Sequence, residues 1–398
     1  MQEMKLILMR TVRANFGRNS GWHLLICFVL LMTSGISIRA QAAGPQAATA
    51  LEQQGKLQEA EREWRAWLQK NPGDAVALAS LGVVLSKEEK FKEAAFTYRG
   101  AIAMDPKLPG IQLDLGLAEF KQGNFQAAIL PFRLALAADS KNMQARTLLG
   151  LSYYGDGKFS EAVKHLTIAS AADPANAELH NVLAQSCLSA KKYECSLKEF
   201  SWISQHTPDS AATHILLGQA LDGLGRTNEA ITEFETASKA NPPAPDVNFG
   251  LGYLYWKLRR NDEASQSFEK ELALNPNNAQ ALAYLGDIET KRENLDHALS
   301  LLRRALSIRD DLRVAQLDLG VLLTQKKEYP EALLALRRAE QLDPEQPEVH
   351  YRLGRLYQAT GDSQRAQREF AKVQRLHQKA EDAVADALSR GKRQNNPQ

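Results

Sequence analysis

An internal repeat of 34 residues constrains this chain more than any other feature. The pentapeptide Gln-Leu-Asp-Leu-Gly occurs at 112–116 and again at 316–320, a separation of 204 residues, or six times 34. Written in rows of 34 from position 41, the sequence gives ten rows with no insertion or deletion. Column seven is leucine in nine rows, from Leu81 to Leu353, with Ala47 in the first. Column eight is always glycine or alanine, and column twenty is alanine in every row but one, where Ser196 stands. Repeats of this length signal stacked supersecondary units, each unable to bury its apolar face alone.

The columns carry physical meaning. Columns 4, 7, 8 and 11 follow helical spacing, and so do 20, 24, 27 and 28, so each row predicts two amphipathic helices. Small residues at columns eight and twenty let the two axes approach closely. Column twenty-four supplies the bulk beside them, in Trp64, Tyr98, Phe132, Leu166, Phe200, Phe234, Phe268, Leu302, Leu336 and Phe370. Column thirty-two ends the second helix with proline, at Pro72, Pro106, Pro174, Pro208, Pro242, Pro276 and Pro344, while Ser140 and Asp310 replace it in two rows.

These columns resemble the tetratricopeptide repeat family over roughly residues 41–380. The resemblance implies an all-α fold: a right-handed superhelical solenoid of about ten helix-turn-helix repeats, whose first helices line a concave groove. Residues 43–380 are assigned to the solenoid, 381–390 to the end of a capping helix, and 391–398 to a disordered polar tail. Each repeat in such a stack touches only its neighbours, so stability is close to a sum of repeat and interface contributions.

The first 42 residues read differently. Lys5, Arg10, Arg13 and Arg18 precede a nearly uncharged stretch, Trp22–Ile38, and Ala40-Gln41-Ala42 offers the small-x-small pattern of a signal-peptide cleavage site. A membrane anchor is the alternative, but a spanning helix needs about 20 apolar residues, and Thr33, Ser34, Gly35 and Ser37 interrupt this one. The expectation is therefore a cleaved signal and a periplasmic or secreted protein, with any membrane association confined to this segment. The formal charge of +2 also lies there, since residues 1–42 hold five basic side chains and one acid. A near-neutral body gives no electrostatic case for nucleic-acid binding, which needs a net basic surface. Of three cysteines, Cys27 falls in the leader and Cys187 and Cys195 remain. They occupy columns eleven and nineteen of one row. An oxidising compartment permits a bridge, but column nineteen should face solvent and column eleven the interior, which argues against one.

No HExxH, GxxxxGK[ST] or nucleophile-elbow motif occurs, and repeats occupy the body of the chain. The chain is expected to be no enzyme and to need no cofactor or metal. His180 and His214 share column four in adjacent rows, a position that reads as packing. The family resemblance makes columns 2, 5, 6, 9, 12 and 13 the groove-facing positions. Members that clamp a terminal carboxylate place Lys, Asn and Arg there, whereas this chain offers Ala79, Val83 and Ser86, then Leu113, Leu117 and Phe120. An asparagine ladder, found in relatives fused to sugar-transfer enzymes, is missing too. Two apolar sections stand out instead: Leu113, Leu117, Phe120, Leu151 and Tyr154, and then Phe249, Tyr253, Trp256 and Tyr284. Lys87, Lys121, Lys257 and Lys291 recur at column thirteen. Aromatic anchors rimmed by lysine suit a protein or peptide partner. The expected function is an adaptor of the cell envelope; a part in polysaccharide export or outer-membrane assembly, or a regulatory subunit of a separately encoded enzyme, is the alternative.

Overall fold

Each row folds as two helices because its start and stop signals fall at fixed columns. The structure, a computed structural model, describes residues 44–206, 210–240 and 246–394. The expected signal segment, Pro208 and Pro242 therefore lie outside the described residues. At column thirty-four, the side chains of Asp74, Asn142, Asn176 and Asn278 accept hydrogen bonds from the backbone N–H three residues on, at 2.8–3.1 Å. Each satisfies an otherwise orphaned donor and is worth about 1 kcal/mol. The first helix of each row ends at column fifteen, where the backbone turns left-handed. Gly55, Gly123, Gly157, Gly225 and Gly361 occupy that position in five rows, and Glu89, Lys191, Arg259, Glu293 and Lys327 adopt the same positive φ in the others. The following N–H reaches back to close the turn, as Lys90 does to the Leu85 carbonyl at 2.9 Å, a left-handed C-cap geometry.

The described residues form twenty helices and no strand. They divide into two compact units, up to Leu224 and from Gly225. Unit 1 holds α1 (Pro45–Gln53), α2 (Leu57–Lys70), α3 (Ala75–Lys87), α4 (Phe91–Met104), α5 (Ile111–Lys121), α6 (Phe125–Ala138), α7 (Met143–Gly155), α8 (Phe159–Ala172), α9 (Ala177–Ser189), α10 (Tyr193–His206) and α11 (Ala211–Gly223). Unit 2 holds α12 (Thr227–Ser238), α13 (Val247–Lys257), α14 (Asn261–Leu274), α15 (Ala279–Lys291), α16 (Leu295–Ile308), α17 (Arg313–Gln325), α18 (Tyr329–Leu342), α19 (Pro347–Ala359) and α20 (Ser363–Gln394). Within each unit a first helix packs on its own second helix, which packs on the next first helix. First helices also lie side by side, α5 against α7 and α15 against α17.

The column pairing seen in the sequence is the core of both units. A Cβ placed on Gly116 would stand 2.6 Å from the Phe132 ring, and one on Gly252 would stand 2.6 Å from Phe268. Gly286 and Gly320 meet Leu302 and Leu336 in the same way. Column eight is small because column twenty-four of the same row lies against its backbone. The partners Phe132, Phe268, Leu302 and Leu336 are wholly buried.

Two expectations need correcting. Cys187 and Cys195 are disulfide-bonded, with Cα atoms 5.8 Å apart. They stand on either side of the tight turn between α9 and α10, where the two arms of the hairpin are close, and Cys195 is half-buried against the same cluster as Cys187. The short span across the turn outweighs the outward bias of column nineteen. At the other end, α20 is one helix from Ser363 to Gln394. Residues 391–394, expected in a disordered tail, continue it past Gly391, since no proline stands between Lys379 and Gln394; residues 395–398 lie outside the described residues. No helix among the described residues is long and apolar enough to cross a membrane.

Candidate partner-binding site

In unit 2 the side-by-side packing of α13 and α15 gathers four predicted residues. Phe249, Tyr253 and Trp256 follow one another at spacings of four and three along α13, hence on one face. Tyr284 of α15 reaches all three, with ring centroids 6.1 Å from Phe249, 5.8 Å from Tyr253 and 4.8 Å from Trp256. It also stacks on Phe268, the buried column-twenty-four ring, at 5.6 Å. All four predicted aromatics are half-buried: one side meets the core and the other is open. Desolvation pushes the Tyr284 hydroxyl up to about 12, so it stays a neutral donor.

A polar rim that the sequence reading overlooked completes this face. Asp287, at column nine of α15, accepts from the Trp256 indole N–H at 2.5 Å and from Lys291 Nζ at 2.5 Å. The Lys291 ammonium lies 5.3 Å from the centre of the Trp256 ring, within cation–π range. Asp318, at column six of α17, is the counterpart of Tyr284 one repeat on. Its Oδ2 is buried without a hydrogen-bond partner. Burial, reinforced by the Asp287 charge, holds its carboxyl well above the usual range. The available signal was the pentapeptide itself, which places an aspartate among leucines in both of its copies.

The predicted residues of unit 1 fare differently. Phe120 and Tyr154 are only 5% and 6% exposed, and with Leu151 they belong to the core. Phe120 meets Phe125 edge-on at 5.3 Å, Tyr154 meets Phe159 at 5.8 Å, and the Tyr154 hydroxyl donates to Gln185 Oε1 at 2.6 Å. Leu113 and Leu117 are part-buried against the same cluster. Column twelve faces inward here because an aromatic ring at column seventeen of the same repeat closes over it. The lysines of column thirteen do not form a free edge either. Lys87 pairs with Glu52 at 2.7 Å and Lys291 with Asp287, while burial lowers the pKa of Lys121.

Two histidines of column four, His180 and His350, are buried packing groups. His180 Nδ1 lies 2.5 Å from Glu199 Oε2 and its Nε2 lies 3.2 Å from the Pro174 carbonyl. His350 repeats the arrangement with Glu369 at 2.8 Å and the Pro344 carbonyl at 2.8 Å. Glu340 joins His350 and Glu369 to make a cluster of metal-ligand type. Both imidazole nitrogens are occupied, however, and Lys372 lies within 3.2 Å of both carboxylates. That donor set is already satisfied.

Profiles described as tetratricopeptide repeat match residues 46–109, 84–142, 215–272 and 251–313, and again 347–379, and one described as TPR repeat matches 320–361. A profile described as anaphase-promoting complex, cyclosome, subunit 3 matches residues 121–203. No curated protein matches the chain. Among solved structures, the APC/C hetero-tetramer Cut9-Hcn1 is similar at a TM-score of 0.51 and 15% identity, over 83% of this chain and 79% of that one. Yeast Tom70 is matched at a TM-score of 0.41 and 14% identity, over 88% of this chain and 95% of that one. A tetratricopeptide repeat protein from Parabacteroides merdae is matched at 0.44 and 17%, over 63% of this chain and 98% of that one. Repeat spacing, helical pairing and profile matches coincide, and the chain belongs to the tetratricopeptide repeat family.

Proposed function

We propose that this protein is an adaptor of the cell envelope that captures a protein or peptide partner on the aromatic face of unit 2. The observation that carries this is the open side of the cluster formed by Tyr253, Trp256 and Tyr284. Large half-buried rings on paired rigid helices, edged by Asp287 and Lys291, have the make-up of an interface hot spot. Such rings add apolar contact at small entropic cost, because their neighbours already hold them.

The double variant Tyr253→Ala, Trp256→Ala tests this reading. The wild-type protein recovers a partner from an envelope fraction, and the affinity of that purified partner is then measured for both proteins. Loss of an aromatic hot spot costs about 2 kcal/mol or more, and about 1.4 kcal/mol is tenfold, so capture should weaken more than tenfold. A variant that melts earlier but binds at wild-type strength would make the rings packing residues alone.

The envelope location rests on two further supports. The basic–apolar–small order of residues 1–42 has the layout of an export signal, and a Cys187–Cys195 bond persists where thiols are oxidised. Protein purified from its native host without reductant should begin within a residue or two of Ala43 and carry no free thiol at either cysteine. Intact mass before and after alkylation reads both; a full-length reduced species overturns the location.

A further inference from the structure

We propose that the aromatic face of unit 2 recognises an arginine side chain of its partner, with the guanidinium stacked beside Tyr284 and Trp256 and bonded to Asp318. This rests on the reading of that face as a partner site and names the group it takes.

The starting point is a carboxyl group without a hydrogen-bonded counter-charge. Asp318 Oδ2 is buried and makes no hydrogen bond, a condition that costs free energy in a folded protein. The charged groups around it are Asp287 and Lys291 of α15, Arg313 of its own helix and Arg352 of α19, with the Tyr284 hydroxyl also within electrostatic reach. Each cation there is engaged elsewhere. Lys291 lies 2.5 Å from Asp287, Arg352 lies 2.7 Å from Glu348, and Arg313 lies 3.8 Å from Asp343. Asp318 as a whole is only half-buried, so a donor arriving from the open side bonds the outer oxygen of this carboxylate and neutralises the charge that both oxygens share.

The neighbouring repeat shows what satisfies such a carboxylate. Asp287, one repeat earlier on the same face, is bonded to an indole N–H and an ammonium, and that ammonium sits over the Trp256 ring. Asp318 has an aromatic neighbour in Tyr284 and lacks only a cation bonded to it. Arginine fits better than lysine: its plane stacks on a ring while its paired N–H groups meet a carboxylate. An acidic or purely apolar ligand would leave Asp318 buried and unpaired.

Burial holds Asp318 protonated above the usual carboxylate range. Taking up a guanidinium must release that proton to solvent, so affinity for arginine should rise with pH until Asp318 is ionised in the free protein. The Asp318→Asn variant removes the titrating group and keeps the shape, so it should fold at least as well as wild type.

The test uses the purified full-length protein and an acetylated, amidated octapeptide of serine and leucine with one central arginine. A twin peptide carries citrulline, which matches arginine in shape and lacks the charge. Affinities are read from Trp256-dependent fluorescence and from calorimetry at pH 5 and pH 8. The arginine peptide should bind at least tenfold more tightly than its twin at pH 8, and its affinity should fall at pH 5. Asp318→Asn should bind both peptides alike at both pH values. Equal binding of the two peptides to wild type, an arginine preference that survives in Asp318→Asn, or no binding of either peptide at pH 8 overturns the proposal. Equal binding of both peptides that is lost in Tyr253→Ala, Trp256→Ala would leave the partner site standing and remove only the arginine. Loss of neither peptide in that double variant would move the site off this face.

Discussion

At the scale of single residues, the two aspartates of the repeated pentapeptide are the most informative side chains in the chain. Asp114 in unit 1 shares column six with Asp318, and burial pushes its carboxyl up to about 6. Its value in the unfolded chain is near 4, so the folded state holds the proton more tightly. The stability this provides is fully present below about pH 4 and is lost as pH rises through about 6, when an ionised carboxylate must stay buried. The loss is on the order of 2–3 kcal/mol by linkage. Asp114→Asn should therefore gain stability over wild type as pH is raised from 4 to 8, measured as the difference in urea midpoints. A difference that is flat with pH would mean that Asp114 is solvated in the folded protein. The column made this position visible, but its chemistry was not legible in the sequence, because an aspartate on a first helix reads equally well as a solvated surface residue. Only the packing of the adjacent helices removes its water.

At the scale of elements, the helical hairpin is the working unit, and column eight is where it is tightest. A Cβ on Gly286 would lie 2.8 Å from Leu302 Cγ and 3.5 Å from the Ala298 carbonyl. Gly286→Leu should overpack the α15–α16 contact and cost about 1–3 kcal/mol or more. Because contacts run only between neighbouring hairpins, the loss of hydrogen-exchange protection should centre on residues 279–312 and the repeats beside them. Equal loss at residues 80–120 would show that the whole stack opens as one. The same hairpin geometry explains the disulfide: the turn between α9 and α10 brings Cys187 and Cys195 within bonding reach. The turn column, by contrast, could be inferred only in part. Glycine marks it in five rows, while Lys327 and four other residues take the same left-handed conformation without any mark of their own.

At the scale of the whole molecule, the protein is two compact units built from one repeated element, and their apolar sections differ in exposure. The predicted apolar section of unit 1 is largely core, closed by Phe125 and Phe159 over Phe120 and Tyr154. The section in unit 2 stays open and carries a charged rim. By itself, the sequence determined the repeat length, the number of hairpins, their core columns and the positions of Phe249, Tyr253, Trp256 and Tyr284 on one helical face. Those features depend on spacing along the chain, and a fixed period of 34 leaves only one way to bury the apolar columns. The tertiary structure alone decided which aromatics are covered, which lysines are paired and which carboxylate lacks a partner. Those outcomes depend on how helices pack, whether across a turn, as with Phe120 and Phe125, or between repeats, as with Trp256 and Asp287, and burial and electrostatics act between such groups only once the helices have packed.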